Sequence, residues 1–174
     1  MSPRSIRLAS NGDLARIVEI YNSTIPSREV TADLEPVSVE SRQAWFDAHS
    51  AERHPLWVVE QGGVVIGWAS LSAFYGRPAY DATAELSIYL DAAVRRQGLG
   101  QRLLEHVLET CPKLGIRTVL GFIFAHNPPS LALFERNGFA RWAHLPEVAE
   151  LDGVRRSLVI VGRALDAKDT QNGI

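Results

Sequence analysis

Two features of this chain could do chemistry, an anion-binding turn and a carboxylate beside it. The turn is Arg95-Arg96-Gln97-Gly98-Leu99-Gly100-Gln101. Its glycines open a segment with helical periodicity, and such an opening presents unpaired backbone N–H groups at the positive end of the helix dipole. Two arginines next to it make a site for a phosphorylated ligand. The carboxylate is Glu85, in the alternating run Glu85-Leu86-Ser87-Ile88-Tyr89-Leu90 that leads into the turn. Strand alternation turns Glu85 toward the groove beside the turn. A carboxylate buried there has a raised pKa, which suits it to accept a proton near neutral pH.

Two common phosphate-binding motifs are excluded. No lysine-serine or lysine-threonine pair follows Gly100, so this is not a P-loop, and residue 103 is Leu where a dinucleotide fingerprint needs Gly. The elements that must position the turn are legible around it. Residues 83–90 read as a strand. Leu99, Leu103, Leu104, Val107, Leu108 and Cys111 fall on one face of the helix that follows, which stops at Leu114-Gly115. Cys111 lies on that apolar face and reads as core, which argues against an acyl-cysteine intermediate. Residues 117–124 read as the next strand. Asn127 caps a short helix whose first turn holds Pro128 and Pro129 and which ends at Gly138-Phe139.

Upstream, residues 5–9 read as a strand, and Asn11 caps a helix to about Thr24 with Leu14, Ile17, Val18 and Tyr21 inward. Residues 26–36 form a loop, and Ser38 caps a second helix to about His49. Residues 56–60 and 64–72 form a hairpin around Gly62-Gly63. Residues 140–150 and 155–163 read as the last two strands, around Asp152-Gly153.

The spacing Arg95-x-x-Gly98-x-Gly100, directly after the strand carrying Glu85, resembles the acyl-CoA signature of the GNAT superfamily of N-acetyltransferases. The segment Asn127 to Phe139 looks like that superfamily's second signature. Ile20-Tyr21-Asn22, Thr31 to Ser38, Trp45-Phe46 and Arg77-Pro78-Ala79-Tyr80 are similar to the branch that acetylates phosphinothricin, methionine sulfoximine and methionine sulfone. The resemblance covers nearly the whole chain. It implies the GNAT fold, an α/β (α+β) arrangement with a mixed, mostly antiparallel twisted sheet of six to seven strands and about four flanking helices.

The resemblance also implies acetyl-CoA as cofactor and CoA as product. Residues Ile88, Tyr89 and Leu90 are then expected along the pantetheine arm. Arg95, Arg96, Gln97, Gly98, Leu99, Gly100 and Gln101 are expected at the pyrophosphate, with Asn127 and Ser130 contacting the arm or its phosphate. Glu85 is expected as the general base. The usual acid, a tyrosine in the short helix, is replaced by Phe134; Tyr89 and His126 are the remaining candidates, and the amine's own proton can instead reach the thiolate. Arg77, with Arg28 as second candidate, is expected on the acceptor's carboxylate. Thr31, Trp68 and Tyr80 are expected to shape its side-chain pocket. No metal is implied, and the family expectation is a homodimer. The last strand departs from the branch at Arg156 and Ser157, which speaks against phosphinothricin itself as acceptor.

Bulk properties agree with a small enzyme. The 174 residues are 46% hydrophobic and 22% charged, which suits one α/β domain over residues 1–165 with a polar tail over 166–174. A net charge of −2 without a basic stripe gives no case for nucleic acid. No apolar run suits a membrane span, the first residues do not read as a signal peptide, and a single cysteine suits the cytoplasm. The reading is an N-acetyltransferase that acts on the amine of a small amino acid or analogue by direct transfer. Two alternatives stay open at this point: acetylation of a protein or peptide amine, and a non-catalytic module that senses acyl-CoA.

Overall fold

The computed structural model describes residues 3–165. Seven strands form one sheet: β1 (Arg4–Leu8), β2 (Leu56–Gln61), β3 (Val64–Ala73), β4 (Thr83–Leu90), β5 (Thr118–Phe124), β6 (Ala140–Leu151) and β7 (Val154–Ala164), in the order β1-β2-β3-β4-β5-β7-β6. Every pairing is antiparallel except that of β4 with β5. Four helices flank the sheet: α1 (Leu14–Thr24), α2 (Val39–Asp47), α3 (Leu99–Thr110) and α4 (Pro128–Arg136). This is the mixed, mostly antiparallel sheet with about four helices that the family resemblance implies. The polar tail expected over residues 166–174 lies outside the described residues.

Alternation along the central strands sends their side chains into two separate cores. Ala84 and Leu86 of β4 join Ala69, Leu71, Val119 and Val161 against α3, whose Leu99, Leu103, Leu104 and Val107 are fully buried. Cys111 is buried in the same core. On the opposite face, Val58 and Trp68 pack against Ile17 and Ile20 of α1, with Trp45 and Phe46 of α2 at the margin. The sheet is therefore a partition, with α3 and α4 behind it and α1 and α2 in front.

Several element ends follow from local chemistry. The β2–β3 hairpin turns on Gly62 and Gly63, both at positive φ, as a two-residue hairpin loop requires. The cap of the first helical segment is Ser10, not Asn11: Ser10 and Asp13 close a capping box over a 3₁₀ turn at Asn11–Asp13, and α1 follows directly. Ser38 caps α2 as predicted, its hydroxyl accepting from the Ser41 amide at 3.1 Å. The α-helix that opens at Gly98 ends at Thr110, earlier than its apolar pattern suggests. Pro112 follows and tightens the chain into a 3₁₀ turn at Cys111–Leu114, closed by Gly115 at φ 75°.

One irregularity in the sheet matters most. The parallel strands β4 and β5 pair only at Thr83 with Thr118, Ala84 with Val119 and Glu85 with Leu120. Beyond that point β4 continues alongside β3 as far as Leu90 opposite Gly67, while β5 pairs with β7. The two central strands diverge, and the β5-facing edge of β4 from Leu86 to Leu90 has no strand partner.

Candidate active site

Two cavities meet in the gap between β4 and β5. The larger, about 220 Å³, lies on the α1/α2 face, with Tyr21, Arg42, Trp45, Trp68, Glu85 and Tyr89 in its wall. The smaller, about 50 Å³, opens inside the gap, bordered by Leu86, Ile88, Phe122, Asn127, Ser130 and Phe134. Ser87 and Tyr89 line both. One strand thus presents Glu85, Ser87 and Tyr89 to the larger space, and its unpaired backbone edge to the smaller.

Glu85 sits on β4 opposite Ser72 of β3. Among the described residues its carboxylate has no hydrogen-bond or ion-pair partner. Burial pushes its pKa above the ordinary carboxylate value, because removal from water disfavours the charged form. A carboxylate in that state, open to a cavity, is suited to accept a proton.

Around it stands an aromatic wall. Trp68 stacks on Tyr89 with ring centroids 4.5 Å apart and planes 19° from parallel. Trp45 meets Trp68 edge-on at 5.5 Å, and Tyr21 lies 5.1 Å from Tyr89. Trp68 donates its indole N–H to the Ile17 carbonyl at 3.1 Å, which fixes the ring. Burial raises the pKa of Tyr89, so its phenol stays protonated at neutral pH. Thr31 is buried behind this wall. Its hydroxyl lies 2.5 Å from that of Tyr21. The Tyr21 hydroxyl donates to Asp33, and Arg42 pairs with the same carboxylate at 2.9 Å.

The glycine turn has the form of an anion cradle. Gly98 holds φ 76° immediately before α3, and the first intrahelical bond there runs from the Arg102 amide to the Gly98 carbonyl at 3.2 Å. The amides of Leu99, Gly100 and Gln101 therefore have no acceptor within the helix. Gly100 is buried with Leu133 of α4 above it: a Cβ there would lie 3.1 Å from the Leu133 side chain. Arg95 and Arg96 are exposed on the approach to the turn. Leu90 packs on the core behind it. Gln97 accepts from Arg4. The Gln101 amide exchanges two 2.8 Å hydrogen bonds with Asn137, tying α3 to the end of α4.

Asn127 caps α4, its Oδ1 accepting from the Ser130 amide at 3.3 Å. Its Nδ2 donates to the Glu29 carbonyl at 3.1 Å, and His126 Nε2 lies 2.7 Å from the Arg28 carbonyl. These bonds fasten the 25–36 segment to the β5–α4 turn, with Val30 at the edge of the smaller cavity. Arg28 itself pairs with Asp152 at 2.6 Å and donates to the Ile25 and Leu34 carbonyls, so its guanidinium points away from both cavities. Arg77 and Tyr80 are exposed on the β3–β4 connection and line neither cavity; Tyr80 packs with Phe74 and Tyr75. Phe134 is buried, stacked edge-on against Phe139 at 4.9 Å. The Cys111 thiol, with its pKa pushed up to about 12 by burial, is remote from this chemistry.

Sequence reasoning did not single out Arg42, Asp33 or Ser87 as side chains of the site. The signal available for Arg42 was its place three residues before Trp45, one helical turn from the apolar pair Trp45-Phe46.

Residues 14–139 match the Acetyltransferase (GNAT) family. YwnH of Bacillus subtilis, provisionally named a phosphinothricin acetyltransferase, is 54% identical over 92% of this chain and 99% of its own length. The L-methionine sulfoximine/L-methionine sulfone acetyltransferase of Pseudomonas paraeruginosa is 31% identical over 93% of this chain and 95% of its own. The crystal structure of a GNAT superfamily phosphinothricin acetyltransferase from Sinorhizobium meliloti in complex with acetyl-CoA superimposes with a TM-score of 0.88 at 30% identity, covering 95% of this chain and 89% of that one. Matched over more than half its length, this chain belongs to the GNAT acetyltransferase family.

Proposed function

We propose that the protein transfers the acetyl group of acetyl-CoA to the amine of a small amino acid or amino-acid analogue, with both substrates bound at once. The observation that carries this reading is the meeting of the two cavities at Ser87 and Tyr89, with Glu85 the only carboxylate in the wall of the larger one. Relatives named for phosphinothricin and methionine sulfoximine or sulfone support the acceptor class.

The donor side fits a CoA-type ligand. Free amides at the start of α3, with Arg95 and Arg96 beside them, suit a pyrophosphate. The unpaired edge of β4 suits an extended arm that carries amides of its own, in the manner of an added strand. Bound acetyl-CoA supplies the activated acyl group at the junction of the cavities.

On the acceptor side, an amine arrives protonated, and an ammonium has no lone pair. Glu85 takes that proton, directly or through a water, which frees the nitrogen to attack. Phe134 carries no proton to give the departing sulfur; the amine's own proton can reach it, with Tyr89, which stays protonated and lines both cavities, and His126 as the side-chain candidates. Cys111, buried in the core, leaves direct transfer as the route.

The same reading carries a cytoplasmic setting and a homodimer. Trp142, Val148 and Val154 on the β6–β7 hairpin are exposed apolar groups that such a contact would cover.

The test is thiol release from acetyl-CoA with methionine sulfone, methionine sulfoximine and phosphinothricin, with peptides and polyamines as controls. Turnover confined to the amino-acid group supports the reading; turnover only with peptides overturns it. Glu85→Gln is expected to lower kcat about 100- to 10,000-fold, the usual contribution of a general base, with CoA affinity unchanged.

A further inference from the structure

The turn that opens α3 does not hold its shape by itself. Between β4 and α3 the chain places Arg96 at φ 61° and Gly98 at φ 76°, and an arginine keeps a left-handed conformation only where its surroundings fix it. Arg95 and Arg96 are both exposed and, among the described residues, have no hydrogen-bond or ion-pair partner. The fastening lies at the two ends of the segment. At one end Gln97 donates to the Ala93 carbonyl at 3.4 Å and accepts from Arg4 of β1. At the other end stands Asp91.

The Asp91 amide donates to the Ile66 carbonyl of β3 at 3.0 Å, its Oδ1 accepts from the Ala93 amide at 2.8 Å, and its carbonyl accepts from the Val94 amide at 3.1 Å. These bonds end β4 and set the 3₁₀ turn Ala92–Val94, from which the chain runs on to the glycines. The other carboxylate oxygen, Oδ2, takes Arg16 of α1. Each nitrogen of that guanidinium has a protein partner: Nε donates to the Val65 carbonyl at 3.0 Å, and Nη1 lies 2.9 Å from Glu19. A carboxylate at this point works against an anion site. The Ala93 amide, with Arg16 and Arg95 also acting on it, holds Asp91 below the ordinary carboxylate value, so it is charged at neutral pH. That charge offsets part of the field that Arg95 presents to a phosphate, and Arg16 answers it in direct contact.

We propose that Arg16 is a positioning residue for the CoA pyrophosphate: it neutralises Asp91, which lets that carboxylate shape the turn without repelling the anion the turn receives. Neither residue touches the ligand in this assignment, which rests on the donor reading above. Arg16 directly precedes Ile17 and Val18, which line the larger cavity, so a change at Arg16 has to be read on the donor alone.

The test is calorimetric binding of CoA and of pantetheine, its phosphate-free arm, which needs no acceptor. Wild type is expected to bind CoA more tightly than pantetheine. Arg16→Gln leaves the Asp91 charge unanswered. It is expected to raise Kd for CoA about 5- to 30-fold, less so as salt is added, and to leave Kd for pantetheine nearly unchanged. Asp91→Asn keeps an oxygen for the Ala93 amide and loses the charge, so its CoA affinity is expected to stay within about threefold of wild type. The double variant Arg16→Gln/Asp91→Asn is expected to recover most of the affinity lost in Arg16→Gln, a rescue that a merely structural role would not give. Equal losses for CoA and pantetheine in Arg16→Gln, or a double variant no better than Arg16→Gln, would overturn the assignment. If wild type binds CoA no more tightly than pantetheine, the pyrophosphate reading of the turn fails and the assignment falls with it.

Discussion

The surroundings of Glu85 suit it to the proposed role of base. Its neighbours on β4 go into the core, so it must sit at the sheet surface under two helices, where water is scarce and, among the described residues, no cation pairs with it. A raised carboxylate pKa has two consequences of opposite sense. For catalysis, the reactive form is the ionised one, so kcat/KM should fall as pH drops through the raised value. That acid limb should lie above the range of a free glutamate, and in Glu85→Gln it should vanish, as a pH–rate profile would record. For stability, a group whose folded pKa exceeds its unfolded one stabilises the fold at low pH and loses that contribution as pH rises through the folded value. At neutral pH, Glu85→Gln should then melt at or above the wild-type temperature while losing activity. Glu85 was readable in the sequence because alternation assigns it a face. Arg42 was not, since an arginine on a short helix among Glu40, Ser41 and Gln43 has the signature of a solvated one. Only the fold brings Asp33 and Tyr21 to it.

At the scale of elements, the β5–α4 turn does more than end a strand. Asn127 completes the cap of α4 and also holds the 25–36 segment through the Glu29 carbonyl. Asn127→Ala should cost about 1–2 kcal/mol, seen as a fall of roughly 3–6 °C in Tm. If its side chain serves only this scaffold, the rise in Tm on adding CoA should be the same in variant and wild type. A smaller rise would mean that the side chain meets the cofactor as well. The strands, the hairpin at Gly62-Gly63 and the helix opening at Gly98 were legible because period and glycine placement are local signals. The clasp from Asn127 to Glu29 spans 98 residues and leaves no local trace. The early end of α3 had a visible cause in Pro112, whose ring ends α-helical hydrogen bonding although the apolar spacing runs on.

At the scale of the whole molecule, the terminal hairpin leaves β6 as an edge strand, exposed along most of its length. Exposed edges and apolar groups invite pairing with another chain. Light scattering is expected to give twice the mass of one chain. Trp142→Glu, which places a charge where about half of a large ring meets solvent, is expected to give a folded monomer. A wild-type monomer at micromolar concentration would remove the dimer from the proposal.

The division of labour along β4 bears on how such an enzyme changes over time. The proposed donor cleft uses the unpaired main-chain edge of β4, which substitution does not alter, while the proposed acceptor cavity is walled by side chains from α1, α2 and the front of the sheet. Mutation can therefore explore new amines on α2 without disturbing the cofactor, whereas an insertion within β4 would send Glu85 into the core and ruin both. Such a lineage is free to diversify its substrates and is held fast in its chemistry.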